Sequence, residues 1–163
     1  MQMKKKRNII FDTDNEEIFL ACDEDKIERI MLNLISNAIK FSECDTDIEI
    51  KINTKLDLNR VYISIKNYGS NIEFNDREKI FERFHRVDNS LNRKNEGCGI
   101  GLFLCRKFIE MHEGEIFLDN IDNGTQFSFY LPINITEEKI YNPIIQKDSL
   151  IERCNIEFSD IYT

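Results

Sequence analysis

Two short runs constrain this chain most. Ile48, Ile50 and Ile52 alternate with charged residues, and Val61, Ile63 and Ile65 alternate with polar ones. A period of two over this length describes strands with one buried face. The residues between them, Lys55 to Arg60, include Asp57 and Asn59 and read as a polar turn. A sheet that is apolar on one side only must be covered by something. The segment just upstream supplies the cover: Ile27, Ile30, Met31, Leu34, Ile35 and Ala38 recur at helical spacing through about Phe41. Asp23 or Asp25 can cap that helix, and Asp25 with Glu28 has the spacing of a capping box. The remaining pieces follow the same scheme. Ile9 to Thr13 and Ile18 to Cys22 read as short strands, Asn75 caps a short helix through about Phe84, and a second long helix runs from about Ile100 to Met111. Strands Glu115 to Leu118 and Gln126 to Leu131 flank an Asn123-Gly124 turn. The expected fold is α+β, a two-layer sandwich of helices on a mixed, mostly antiparallel sheet.

Composition narrows the function. The 163 residues carry 22 Lys and Arg against 30 Asp and Glu, a formal charge of −8. That balance disfavours a broad nucleic-acid or anionic-membrane surface, though not a local anion site. Apolar runs are only a few residues long, so no spanning helix is expected. Basic Lys4 to Arg7 is not followed by the apolar stretch of a signal peptide. The five cysteines contain no C-x-x-C pair and read as reduced cytosolic thiols. His85 and His112 stand apart from any cysteine pair, which argues against a zinc site.

Four constellations carry chemistry. Asn33, Asn37 and Lys40 lie at i, i+4 and i+7, one stripe bordering the apolar helix face. Amide oxygens are hard neutral ligands for Mg²⁺, and an ammonium neutralises phosphate; a solvated helix flank has the same composition. Only six glycines occur in the chain, and Gly97, Gly99 and Gly101 open the second long helix. Such spacing lets backbone and a helix N-terminus approach an anion, or makes a hinge. It is neither a Walker A loop nor a dinucleotide fingerprint. Asn67 to Ile72 is an acceptor followed by a glycine turn, either a pocket wall or a plain β-to-α turn. Gly124-Thr125 places a hydroxyl on a hairpin.

In their order along the chain, these pieces resemble the ATP-binding catalytic domain of sensor histidine kinases, within the GHKL superfamily of ATPases and kinases. "NLISNAIKF" (Asn33 to Phe41) is similar to the N box, "NYGSNI" (Asn67 to Ile72) to the first glycine box, and "FERFHRVD" (Phe81 to Asp88) to the F box. "GCGIGL" (Gly97 to Leu102) is similar to the second glycine box, and "GTQFSFYLP" (Gly124 to Pro132) to the closing strand. The resemblance covers about residues 9 to 133 and implies a Bergerat-type α/β sandwich. Residues 1 to 8 then read as a basic linker remnant and 134 to 163 as a C-terminal extension, which packs on the domain or docks a partner.

The resemblance also implies roles. Asn37 would hold Mg²⁺ against the phosphates of ATP, and Lys40 would contact phosphate. Asn67, Gly69, Asn71, Ile72 and Thr125 would surround the adenine. Phe81, Phe84 and Arg86 would anchor the nucleotide-closing loop, with Arg86 near the phosphates, and His85 would be among the nucleotide-binding residues. Gly97, Gly99 and Gly101 would let that loop fold over the triphosphate, and Phe41, Ile100 and Leu102 would be among the nucleotide-binding residues. Asn33, Lys40 and Arg86 would serve the reaction, transfer of the γ-phosphate to a histidine on a separate dimerisation domain. In related hydrolytic ATPases the position of Asn33 is a Glu that activates water; an amide cannot act as that base. Two departures stand out: the family usually has Asp at Asn67 and Gly at Asn71. Asn tolerates positive φ, so the turn at Asn71 is expected to survive. Neither His85 nor His112 has the flanks of a phosphoacceptor, so the chain reads as the catalytic part of a longer kinase. Its expected partners are the kinase's own dimerisation and phosphoacceptor domain and a response regulator, with no nucleic acid and no membrane insertion of this segment. The expected location is cytoplasmic. A non-catalytic nucleotide-responsive module, motivated by Asn67 and Asn71, and an anti-sigma-factor-type serine kinase are the alternatives.

Overall fold

The computed structural model describes residues 8–85 and 99–134. In chain order these are β1 (Ile9–Thr13), α1 (Glu24–Phe41), β2 (Ile48–Lys55), β3 (Arg60–Tyr68), α2 (Gly101–Met111), β4 (Glu115–Ile121) and β5 (Gly124–Pro132). The strands form one sheet in the order β1-β2-β3-β5-β4. β1 runs parallel to β2, and the other neighbours are antiparallel. The α+β sandwich and its mixed, mostly antiparallel sheet are therefore as expected.

The alternation read from the sequence sets the register. Ile50 faces Ile65, Ile65 faces Phe127, and Phe127 faces Leu118. The next row is Ile52, Ile63, Phe129 and Ile116. These rows meet Ile30, Leu34 and Ala38 of α1 and Cys105 and Ile109 of α2 in one core. Phe129 lies at its centre with no exposed surface. The opposite face of the sheet is polar and aromatic. There Lys66 and Tyr68 both donate to the Glu49 carboxylate, at 3.2 and 2.9 Å. The Arg60 guanidinium lies 4.0 Å from the Tyr130 ring centroid.

The helix joints are explicit. Asp23, one of the two expected caps, accepts from the Lys26 N–H at 3.1 Å. The Asp23 N–H in turn donates to His112 Nε2 at 3.0 Å. His112 Nδ1 lies 2.6 Å from the Phe108 carbonyl, which can only accept. His112 is thus a neutral imidazole bridging the end of α2 to the start of α1. Cys105 Sγ adds a weak contact to the Ile30 carbonyl, and burial pushes its thiol up to about 12.

Two expected elements differ. Ile18 to Cys22 forms no strand. Ile18 and Leu20 pack against the core without a ladder partner, and that one-sided burial gives the same alternation. The helix expected from Asn75 to Phe84 is two 3₁₀ turns, Phe74–Asp76 and Lys79–Phe81. The buried pair there, Ile80 and Phe81, is adjacent instead of spaced by three or four, so no continuous helical face exists. Glu78, three residues after Asn75 and so at capping-box spacing, accepts instead from Arg106 on α2 at 3.0 Å. The second long helix starts at Gly101 instead of Ile100, and the closing strands run longer than expected, to Ile121 and from Gly124.

Candidate functional site

The stripe on α1 comes first. Asn33, Asn37 and Lys40 are all half-buried, where the apolar face of α1 turns toward its flank. The Asn37 amide nitrogen donates to Asn33 Oδ1 at 3.2 Å. That bond occupies the nitrogen and leaves the Asn37 oxygen as the outward-capable atom of the pair. Lys40 Nζ lies 5.8 Å from the ring centroid of Phe41, which is exposed.

α2 begins directly on this stripe. A Cβ at Gly101 would fall 2.2 Å from Asn33 Nδ2, so the first residue of α2 must be small to sit on the amide. Ile100 occupies the N-cap and provides no side-chain bond, so no side chain caps the first turn of α2. Leu102 turns toward the core. Gly99 adopts φ +66°, and a Cβ there would meet the His85 carbonyl at 2.8 Å. Phe84, itself at φ 64°, donates its N–H to the Gly99 carbonyl at 2.9 Å. The F-box-like and second glycine-box-like segments therefore meet through backbone.

Side chains in that segment divide the work differently from expectation. Phe81 is the anchor: it is buried, edge-on to Phe127, with the Arg106 guanidinium 4.8 Å from its ring. Phe84 is 62% exposed, its ring 4.9 Å from the Arg83 guanidinium, and its main chain makes the bond to Gly99. His85 is half-buried, with Nε2 3.8 Å from Asp76. Arg86 and Gly97 lie outside the described residues.

The other wall stands at the end of β3. The strand's buried face runs Val61, Ile63, Ile65 and then Asn67. Asn67 is 2% exposed, and across the β3–β5 register it faces Thr125, also buried. The Thr125 hydroxyl donates to Asn67 Oδ1 at 3.0 Å. Gly69 presses this end against α1, since a Cβ would fall 2.4 Å from the Phe41 carbonyl. Its N–H donates to the Asn123 carbonyl at 2.9 Å. Asn71 holds its turn without using the left-handed region. Its side chain instead accepts from the Gly124 N–H at 2.8 Å, tying the turn to the β4–β5 hairpin. Ile72 packs on the core edge.

Sequence reasoning missed the struts behind these walls. Arg106 bridges Glu78 and Phe81, Asp76 faces His85, and Asn123 holds Gly69. Of these only Asn123 had a local signal, its place in an Asn-Gly turn. The Arg106 partners are 25 and 28 positions away, a distance no local pattern registers.

A glycine-opened helix seated on a helix-borne amide pair, beside a one-sided sheet, is the frame of a nucleotide-binding α/β sandwich. The chain belongs to the histidine kinase-, DNA gyrase B- and HSP90-like ATPase family, whose model matches residues 22–135. Relatives within that family include sensor kinases. It is 34% identical over 140 residues to the sensor histidine kinase WalK of Bacillus subtilis, covering 84% of this chain and 23% of that protein. It is 35% identical over 135 residues to a WalK of Staphylococcus aureus, covering 82% of this chain and 32% of that protein. The chain thus spans about a quarter to a third of these curated relatives. Among solved structures, the catalytic domain of histidine kinase ThkA aligns with a TM-score of 0.68 at 33% identity, covering 78% of this chain and 79% of that one. ThkA in complex with the response regulator TrrA aligns with a TM-score of 0.66 at 30% identity, covering 82% of this chain and 36% of that one.

Proposed function

We propose that this chain binds Mg-ATP and delivers the γ-phosphate to a histidine of a separate dimerisation domain, as the catalytic part of a two-component sensor kinase. The observation that carries this reading is the seat of α2: Gly101 rests on the Asn33 amide, and Asn33 holds the Asn37 nitrogen. Asn37 Oδ1 is then the hard, neutral oxygen suited to a Mg²⁺ shared with phosphate. When bound, such an ion would neutralise phosphate charge.

The remaining work falls to this chain's residues. Lys40 offsets phosphate charge at the end of α1. Uncapped N–H groups of α2 face the anion, as helix N-termini do. Asn67 and Thr125 hold the purine, and Gly69 brings their strand end onto α1. The acceptor imidazole nitrogen forms a bond to γ-phosphorus while the bond to the β–γ bridging oxygen breaks, and ADP leaves. Asn33 cannot activate water as a carboxylate would, which favours transfer over hydrolysis.

We take residues 9–133 as the domain. In support, Asn59 and Ile133 clasp its end: the Ile133 N–H donates to the Asn59 carbonyl, and Asn59 Nδ2 donates to the Ile133 carbonyl. The ThkA–TrrA complex supports a response regulator as downstream partner. No helix among the described residues is long and apolar enough to cross a membrane, and we assign the domain to the cytoplasmic side.

The test is calorimetric titration with ATP, with and without Mg²⁺, for the wild type and Asn37→Ala. Mg²⁺-dependent binding that Asn37→Ala abolishes is expected, followed by phosphorylation of a supplied histidine domain. Binding that ignores both Mg²⁺ and Asn37 would refute the assignment.

A further inference from the structure

Asn67 is the most deeply buried polar side chain of the candidate site, and only half of its amide is satisfied. Its Oδ1 accepts the Thr125 hydroxyl, whereas its buried Nδ2 finds no partner among the described residues. A buried donor without an acceptor is costly, so an arrangement of this kind calls for a ligand or a compensating group. The strand below supplies none: the next pair on this face is Ile65 and Phe127. The unpaired edge of the amide therefore belongs to the end of β3, where the purine is placed by the reading above.

We propose that the Asn67–Thr125 pair reads the purine 6-position reversibly, so that the site accepts 6-oxopurine nucleotides as well as ATP. A 6-aminopurine offers a donor at N6 and an acceptor at N1. A 6-oxopurine offers the reverse, an acceptor at O6 and a donor at N1. An amide carries one atom of each kind, and turned end for end it matches either edge. Thr125 permits both orientations, because its hydroxyl donates to Oδ1 in one and accepts from Nδ2 in the other. A carboxylate at position 67 offers acceptors only and repels O6. Asn67 thus sets base tolerance without touching the phosphate chemistry.

This inference rests on the nucleotide reading, and its test separates the two. The full chain is titrated with Mg-ATP, Mg-ITP and Mg-purine-riboside triphosphate, the last with hydrogen at C6, beside Asn67→Asp. ITP avoids the extra 2-amino group of GTP. The expected result is ITP within about tenfold of ATP, both tighter than the C6-unsubstituted nucleotide. In Asn67→Asp, the ITP to ATP ratio widens by at least about tenfold. ATP binding with ITP more than tenfold weaker in the wild type overturns the inference and leaves the nucleotide site standing. So does an unsubstituted purine that binds as well as the other two, or an unchanged ratio in Asn67→Asp. No binding of any of the three overturns both readings. Should Asn67→Asp fail to fold, seen as loss of its thermal transition, the three wild-type affinities alone decide.

Discussion

Gly101→Ala separates the stability of this fold from its site. The backbone there is not left-handed, so alanine is conformationally allowed, and in a helix it is favoured over glycine by up to about 1 kcal/mol. Its Cβ, however, would lie 2.2 Å from Asn33 Nδ2, where ordinary contact begins near 3.4 Å. The amide must retreat by the difference, about 1.2 Å, and Asn33 is the acceptor that holds the Asn37 nitrogen. Misplacement on the scale of 1 Å is enough to cost up to about a hundredfold in catalysis. The gain in helix propensity and the squeeze on a half-buried side chain offset each other, so urea-unfolding stability should stay within about 1 kcal/mol of wild type. Affinity for Mg-ATP should fall at least about tenfold, or 1.4 kcal/mol. The double-mutant cycle with Asn33→Ala supplies the decisive comparison. Once the Asn33 amide is gone, Gly101→Ala has nothing to displace and should add no further loss. Wild-type affinity in Gly101→Ala, or an equal loss in the Asn33→Ala background, would refute this account of how α2 is seated.

Three further outcomes are expected. Phe129→Ala should destabilise the domain by about 3–5 kcal/mol in urea unfolding, since Phe129 has no exposed surface and sits in the central row of the sheet. At pH 8, peptide mapping after thiol labelling should find Cys22 and Cys44 modified and Cys105 untouched until the protein unfolds, because Cys105 is 2% exposed and its thiol is pushed up to about 12. The Tyr68 hydroxyl, and then Lys66, hold the Glu49 carboxyl below its ordinary value near 4.5. A depressed carboxyl stabilises the fold fully above that value and progressively less as the pH falls below it. Glu49→Gln should therefore flatten the loss of stability between neutral pH and pH 3.5, at a cost of about 1 kcal/mol or less at pH 7; an unchanged acid slope would remove Glu49 from the account.

What could be read from sequence divides along physical lines. The Ile and Val alternations at 48–52 and 61–65 gave both strands and their facing, because one buried face imposes a period of two. The stripe of Asn33, Asn37 and Lys40 was visible because a helix makes neighbours of positions three and four apart. Ile18 to Cys22 misled because a segment with one side packed on the core alternates as a strand does, without forming a ladder. The 74–84 segment misled because Glu78 could cap locally or pair with Arg106, and the choice depends on where α2 lies. Asn71 was anticipated as a tolerant turn residue, whereas its side chain closes a bond to Gly124, 53 positions away. The half-satisfied amide of Asn67 was invisible for the same reason: its environment exists only once β5 lies beside β3.

The His112 bridge has a consequence for how this domain comes apart. Helix ends ordinarily fray first and independently, each opening without disturbing its neighbour. Here the N-cap of α1 and the last turn of α2 share one imidazole, and the Cys105–Ile30 contact adds a second link along the same pair. Release of either end strands a partner on the other. Slow hydrogen exchange should thus report α1 and α2 as one opening unit with a common free energy. The exposed edge strand β1, whose ladder partner among the described residues is β2, should exchange well before them.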